Sequence, residues 1–416
     1  MGHSLAARGG AVVGGAAIVA TMIAGCTAPP GPTPSPTAAD IADAPQSALV
    51  EEVVDTFMAE HHLAAVIVEV QVGDDLISSQ AFGESLPGMP ATTDMNFRNG
   101  AIAFAYLGTL LMLFVDDGKV TLDDPIDEWM PDLPLADQVT LRMLVQQTSG
   151  YPDFETDPVW QAAYIGDPFR DFSYEERIQY AFERPQVFEP GTGWSYAHTN
   201  FAILGEALAK IGGKPLEVLL QERVLDPMGL THTVNHFDGF VPNPVLHSLE
   251  AERRTFFNID PSQPFAEEAT FWSTTWGTPV GANQTSTIAD VTKTAIAVGS
   301  GSLLSPESYQ AMTESTLIGV GERKDSCSPS CFPQTDFYNY GLGVVLSGDW
   351  IVQTPNLSGQ SAAFAYLPSE KVAISVVSTF TGESFDEFGG VPNISDQIWR
   401  AIAAELVPDH TPPTRD

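Results

Sequence analysis

The chain has 416 residues, with 53 Asp and Glu against 18 Lys and Arg, and a formal net charge of -35 at pH 7. That balance excludes phosphate-backbone recognition, which needs a basic footprint, so no nucleic acid partner is expected. It also excludes electrostatic docking on anionic lipid, while 44% hydrophobic and 10% aromatic residues exclude a disordered chain.

Residues 1–25 hold Arg8 and then an apolar run from Ala11 to Ala24 that is too short to span a bilayer. The run ends in Met22-Ile23-Ala24-Gly25-Cys26, small residues before a cysteine, which describes a signal segment with a processing site. It resembles a bacterial lipoprotein signal, and the resemblance implies lipidation of Cys26; the alternative is an ordinary secretory peptide with a chance cysteine. Residues 26–46 open with a Pro-rich stretch, Thr27 to Thr37, that cannot form a core and reads as a tether. The expectation is an extracytoplasmic protein that meets the bacterial cell membrane only through its lipid anchor.

The folded body is expected over 47–408, with 409–416 trailing it as a tail. Residues 47–61 carry Leu49, Val50, Val53, Val54, Phe57 and Met58 at helical spacing. Ala64–Val72 is β-branched, Gly73-Asp74-Asp75 signals a turn, and Leu76–Phe82 can return as a hairpin partner. Ala101–Asp117 is almost wholly apolar, so it predicts a deeply buried helix. Leu141–Val145 predicts a helix with its stop at Gly150. Two more helices are expected over 199–225, split at Gly212-Gly213, and others over 284–298 and 305–314. The period then changes. Tyr340–Leu346, Trp350–Thr354, Ala362–Leu367 and Val372–Ser378 read as strands, and 393–406 as a last helix. Strands at both ends imply one sheet from about 47–97 and 335–408, with a mainly helical insertion over about 98–334. The fold class expected is α+β, an α/β/α sandwich around an antiparallel sheet. Cys327 and Cys331 form an even pair that suggests a disulfide closing a small loop, with free thiols as the alternative.

Several segments, in order, carry a resemblance to a known family. They are Phe97-Arg98-Asn99-Gly100, Val115 to Pro125, Leu144 to Gly150, Glu189 to Tyr196, Val224 to Leu230, Tyr340 to Val344 and Phe364 to Pro368. Together they resemble the serine β-lactamase and penicillin-binding-protein family, on its class C β-lactamase, D-alanyl-D-alanine carboxypeptidase and esterase branch. The resemblance implies a β-lactamase/transpeptidase-like fold and a reaction resting on three motifs.

In that family a serine and, three residues later, a lysine start the buried helix, where one turn sets the amine beside the hydroxyl. Here the two positions are Ala101 and Phe104. The chain has only six lysines, at 119, 210, 214, 293, 324 and 371, and none follows a serine by three residues. The second motif is a tyrosine, any residue and an asparagine. Tyr196-Ala197-His198 keeps the tyrosine and loses the asparagine. Without a cation at 104, nothing lowers the Tyr196 pKa from its ordinary value of about 10. The third motif, Lys or His, Ser or Thr, Gly, falls on Gln353-Thr354-Pro355, with the register open by a residue or two.

Other sources of chemistry are weak. Gly359-Gln360-Ser361-Ala362-Ala363 lacks the strand-to-helix context of a nucleophile elbow. Ser195 reads as a turn hydroxyl, and His198 as a pocket or surface histidine. His232 and His236 are four apart, which suits zinc only on a helix face, but no His-Glu-x-x-His pattern is present and a loop is expected there, so no metal or cofactor is expected. The reading is a family member without its reaction, serving as a binding, scaffold or sensing module at the envelope. Its ligand pocket is expected at Ala101, Phe104, Tyr196, His198 and Thr354. A peptidoglycan fragment or other small carboxylate or peptide would be its partner; no protein partner is implied. The alternative is an active serine hydrolase using a non-standard nucleophile.

Overall fold

The computed structural model describes residues 45–260 and 262–415. Cys26, the expected signal segment and most of the tether lie outside these residues. The first described element, α1 (Pro45–His61), takes in the last residues assigned to the tether. It leads into β1 (Leu63–Val72) and β2 (Asp75–Leu86), a hairpin closed at Gly73, where φ is +58°. Strand β2 outruns the expected Leu76–Phe82 because Glu84 and Leu86 pair with β3 (Met89–Pro90). The buried helix expected after Gly100 is α2 (Ile102–Asp116), and every residue from Ile102 to Met112 is buried, as an apolar surface on all sides requires.

Two further helices position the site: α3 (His198–Gly212) and α4 (Ile288–Ser300). The remaining strands of the main sheet are β4 (Asn339–Tyr340), β5 (Val345–Ser347), β6 (Trp350–Gln353), β7 (Asn356–Leu357), β8 (Gln360–Leu367) and β9 (Val372–Phe380), followed by α5 (Ile394–Leu406). The nine-stranded sheet runs β3-β2-β1-β9-β8-β6-β5-β4, with β7 beside β8. All its pairs are antiparallel, and the first and last parts of the described chain meet where Val68 faces Val376. Helices α1 and α5 pack together on the sheet, and α4 packs against β1, β8 and β9. Every residue of β8 and β9 is buried, so these strands read as continuous apolar runs rather than as alternation. Each fully buried Val, Ile or Leu there contributes roughly 1.5–3 kcal/mol.

Four expectations need correction. Residues 284–298 are not one helix: Gln284–Ser286 is a buried strand between Phe97–Arg98 and Val234–Asn235, and the helix begins only at Ile288. The helix expected to stop at Gly150 ends at Val145, because Gln147 already takes a left-handed φ of +65°. The strand expected over Tyr340–Leu346 is broken between β4 and β5. There the chain leans onto α2, so closely that a Cβ on Gly108 would sit 2.2 Å from the Leu342 carbonyl oxygen. Finally, 409–415 is not a free tail. Trp350 Nε1 donates to the His410 carbonyl (2.8 Å) and Arg400 Nη1 to that of Pro413 (3.1 Å), which fold the segment back onto the body. The expected disulfide is present: Cys327 and Cys331 are bonded across a Cα–Cα distance of 5.7 Å.

Candidate functional site

The start of α2, the start of α3 and the segment after β6 converge on one cavity of about 340 Å³. Ala101, Phe104, Tyr196, His198, Gln353 and Thr354 all line it, so the positions singled out in the sequence come together. Pro355 lines it too, which places the third-motif register at the cavity wall. Ala101 precedes the first turn of α2, and its N–H makes no hydrogen bond among the described residues. A free N–H at a helix start favours a partial negative charge.

One turn on, Phe104 is fully buried and lies flat on Phe201, with ring centroids 3.7 Å apart and planes at 1°. Its ring is 6.2 Å from those of both Tyr196 and His198. An aromatic ring therefore fills the place where the resemblance implies an amine. Burial, and then the neighbouring Tyr340 and Tyr338 phenols, push Tyr196 well above its ordinary value. A phenol held that firmly protonated is a poor base at neutral pH.

His198 opens α3, and its backbone N–H donates to Asp153 Oδ1 (3.1 Å). Its ring Nδ1 sits 3.1 Å from Asp153 Oδ2 and 3.0 Å from Glu155 Oε2. Burial works to discharge the ring, but the Glu155 and Asp153 carboxylates outweigh it and raise its pKa to about 9. Burial raises Glu155, against the pull of His198. Buried Arg177 lends further positive charge to Glu155 while donating from Nη1 to the Thr278 carbonyl (2.7 Å). Asp153, Glu155 and His198 also bring their donor atoms within 4.8 Å of one another, close enough to hold a cation in place of the shared proton. Gln147, through its left-handed turn, accepts from Ala197 N (3.1 Å) and Asn200 Nδ2 (2.6 Å) and so fixes the start of α3.

Gln353 does not present its amide to the cavity. Its Nε2 donates to the Gly343 carbonyl (2.7 Å), and the residue is 4% exposed. Pro355 has no N–H to offer a bound backbone. Neither Ser361 nor Ser195 lines the cavity. Ser361 is buried in a hydroxyl cluster, 2.8 Å from Ser378 and 3.1 Å from Ser395, and Ser195 Oγ reaches only the Tyr196 carbonyl (3.5 Å). Among the described residues, no serine or threonine hydroxyl hydrogen-bonds to the Tyr196 phenol or the His198 ring. His232 and His236 are separately engaged, with Thr231 and Thr285.

A family model described as Beta-lactamase matches residues 50–396. The chain belongs to the beta-lactamase family. This beta-lactamase-family chain is 26% identical over 208 residues to Esterase EstB of Burkholderia gladioli, covering 47% of this chain and 53% of that one. It is 30% identical over 188 residues to Penicillin-binding protein 4 of Amycolatopsis lactamdurans, covering 43% and 47%. The chain thus spans about half the length of these curated relatives. Among solved structures, it superposes on a D-stereospecific amidohydrolase from Streptomyces sp. with a TM-score of 0.69 at 20% identity, over 87% of this chain and 98% of the other. It matches the octameric penicillin-binding protein homologue from Pyrococcus abyssi with a TM-score of 0.66 at 19% identity, over 88% and 79%. These likenesses carry the fold: a mixed α and β body on an antiparallel sheet.

Sequence reasoning missed Asp153, Glu155, Trp276, Phe332, Tyr338 and Arg415 as parts of this site. With 53 carboxylates in the chain, no local signal marks Asp153 and Glu155. The only sequence hint is that both follow the Thr148-Ser149-Gly150 segment of the family pattern.

Proposed function

We propose that this beta-lactamase-family chain no longer carries out acyl transfer and instead binds a small ligand in the retained cavity. One observation carries the reading. The two positions that would hold the nucleophile and its amine are Ala101 and a Phe104 packed flat against Phe201. Removing such a nucleophile leaves only residual catalysis derived from binding. Tyr196, pushed upward by burial, and His198, tied to two carboxylates, support the same conclusion. The free Ala101 N–H and the aromatic cavity suit a small carboxylate or peptide, such as a peptidoglycan fragment. Anchored through Cys26, the chain would act as a binding, scaffold or sensing module outside the cytoplasmic membrane.

The test separates binding from turnover. The soluble body, residues 40–416, is mixed with N-acetyl-D-alanyl-D-alanine; ligand-observed NMR follows binding while free D-alanine is assayed. Saturable binding without release of D-alanine is expected. Release in proportion to protein would overturn the loss of reaction, and no binding at all would overturn the retained cavity.

A further inference from the structure

Beside the cavity lies a second cleft of about 560 Å³, separated from it by Trp276, Asn356 and Leu357, which line both. Its character is different. Three contiguous aromatic rings wall it: Trp160 stacks on Tyr164 at 5.4 Å and 9°, and Tyr164 lies 5.8 Å from Trp276. Glu250 and Glu252 also line it, as does Glu155, which is paired with His198, and no lysine or arginine lines it among the described residues.

The two carboxylates are held rigidly. Glu250 accepts from the backbone N–H groups of Ala251 (2.7 Å), Glu252 (3.0 Å) and Gly359 (2.6 Å). Glu252 Oε1 accepts from the Tyr164 phenol (2.9 Å) and the Ser358 hydroxyl (3.2 Å). Glu252 Oε2 makes no hydrogen bond or ion pair among the described residues. The Arg253 guanidinium is paired with Glu267 (3.0 Å) and offsets the Glu252 charge only in part, so burial still raises the Glu252 carboxyl above its ordinary value. Burial, followed by the Glu252 carboxylate, pushes Glu250 up to about 8, as expected where negative charge lacks a partner.

A second observation points to an occupant. Trp160 is 3% exposed and lines the cleft, yet its Nε1–H has no acceptor among the described residues. A buried donor left unmet costs free energy that a ligand oxygen would recover. Aromatic faces attract cations through their quadrupole, most strongly where water is excluded.

We propose that this cleft binds an alkylammonium ligand, with the cation set against the wall formed by the Trp160, Tyr164 and Trp276 rings and beside Glu252 Oε2, and a ligand oxygen accepting from Trp160 Nε1. This site does not depend on the reading of the neighbouring cavity.

Choline is the probe and neohexanol, its uncharged carbon isostere, the control. Titration of the soluble body is followed through the probe's methyl resonance. Choline is expected to bind saturably and at least about tenfold more tightly than neohexanol, and Glu252→Gln to weaken it by about tenfold. That variant keeps the contacts to Tyr164 and Ser358, so the fold is preserved. Trp160→Phe is expected to weaken both probes, choline the more, because it removes the donor and replaces the ring that attracts a cation most strongly. Equal binding of choline and neohexanol, no saturable choline binding, or choline binding untouched by Glu252→Gln would overturn the proposal.

Discussion

The cavity has two walls of opposite character. At the start of α2 the wall is apolar: Phe104 lies on Phe201 at 3.7 Å, and nothing there can take or give a proton. At the start of α3 the wall is charged: His198 sits 3.0 Å from Glu155 and 3.1 Å from Asp153, with Arg177 behind. On the proposed reading, the first wall has exchanged chemistry for packing. The second has gathered charge, with the histidine proton held between two carboxylates rather than offered, although Glu155 Oε1 and Arg177 Nε and Nη2 find no hydrogen-bond partner among the described residues. On that reading the cavity keeps its shape while its reactive groups are replaced, because the sheet and α2 that build it do not depend on them.

The sharpest way to break this contrast is to empty the apolar wall. Phe104→Ala removes a fully buried ring from a stacked pair and is expected to cost about 3–5 kcal/mol in urea unfolding. A cost under about 1 kcal/mol would mean that the ring is a loose plug rather than part of the core. On the charged wall, Asp153→Ala removes one of the two carboxylates beside the His198 ring and the acceptor of its backbone N–H, while Glu155 stays 3.0 Å away. About 1–3 kcal/mol is expected, with the His198 pKa lowered only in part by NMR titration, because the Glu155 charge, the larger single contribution, remains.

A smaller effect comes from the loop that braces Tyr196. The Tyr196 N–H donates to the Ser330 carbonyl (3.0 Å), inside the loop closed by Cys327 and Cys331. The paired change of both cysteines to serine is expected to cost about 2 kcal/mol, because the loop is short.

The smallest effect is on the pH dependence of stability. His198 rises from an ordinary 6.5 to about 9 in the folded chain, so folding favours its charged form. That contribution is complete below about pH 6.5 and is lost as pH climbs through about 9. Glu155, also raised, acts in the same sense, since folding favours its neutral form. The thermal midpoint should therefore fall between these pH values by the equivalent of on the order of 1–2 kcal/mol, and His198→Gln should flatten that slope. A midpoint that rises across the window would contradict the charged wall as described.

The two walls were not equally legible in the sequence. Ala101 and Phe104 could be placed because α2 is one long apolar run after Asn99-Gly100, and the central strands β8 and β9 announced themselves as β-branched or apolar runs. What local pattern could not supply was pairing between distant segments. Gln284–Ser286 passed for part of a helix because its partners, Phe97–Arg98 and Val234–Asn235, lie far away in the chain. Asp153 and Glu155 were hidden for a related reason: what distinguishes them from other carboxylates is a histidine 43 or more residues later, brought back by Gln147 and the start of α3. Arg415 was assigned to a tail, and only the folding back of 409–415 brings it to the cavity rim.

The central claim, that the fold keeps its cavity and has lost its nucleophile, is tested most directly by covalent labelling. The soluble body is incubated with a fluorophosphonate and with a fluorescent penicillin, and its intact mass is measured. The account predicts an unchanged mass with both reagents. Stoichiometric addition at any serine, threonine or tyrosine, mapped by peptide analysis, would contradict it.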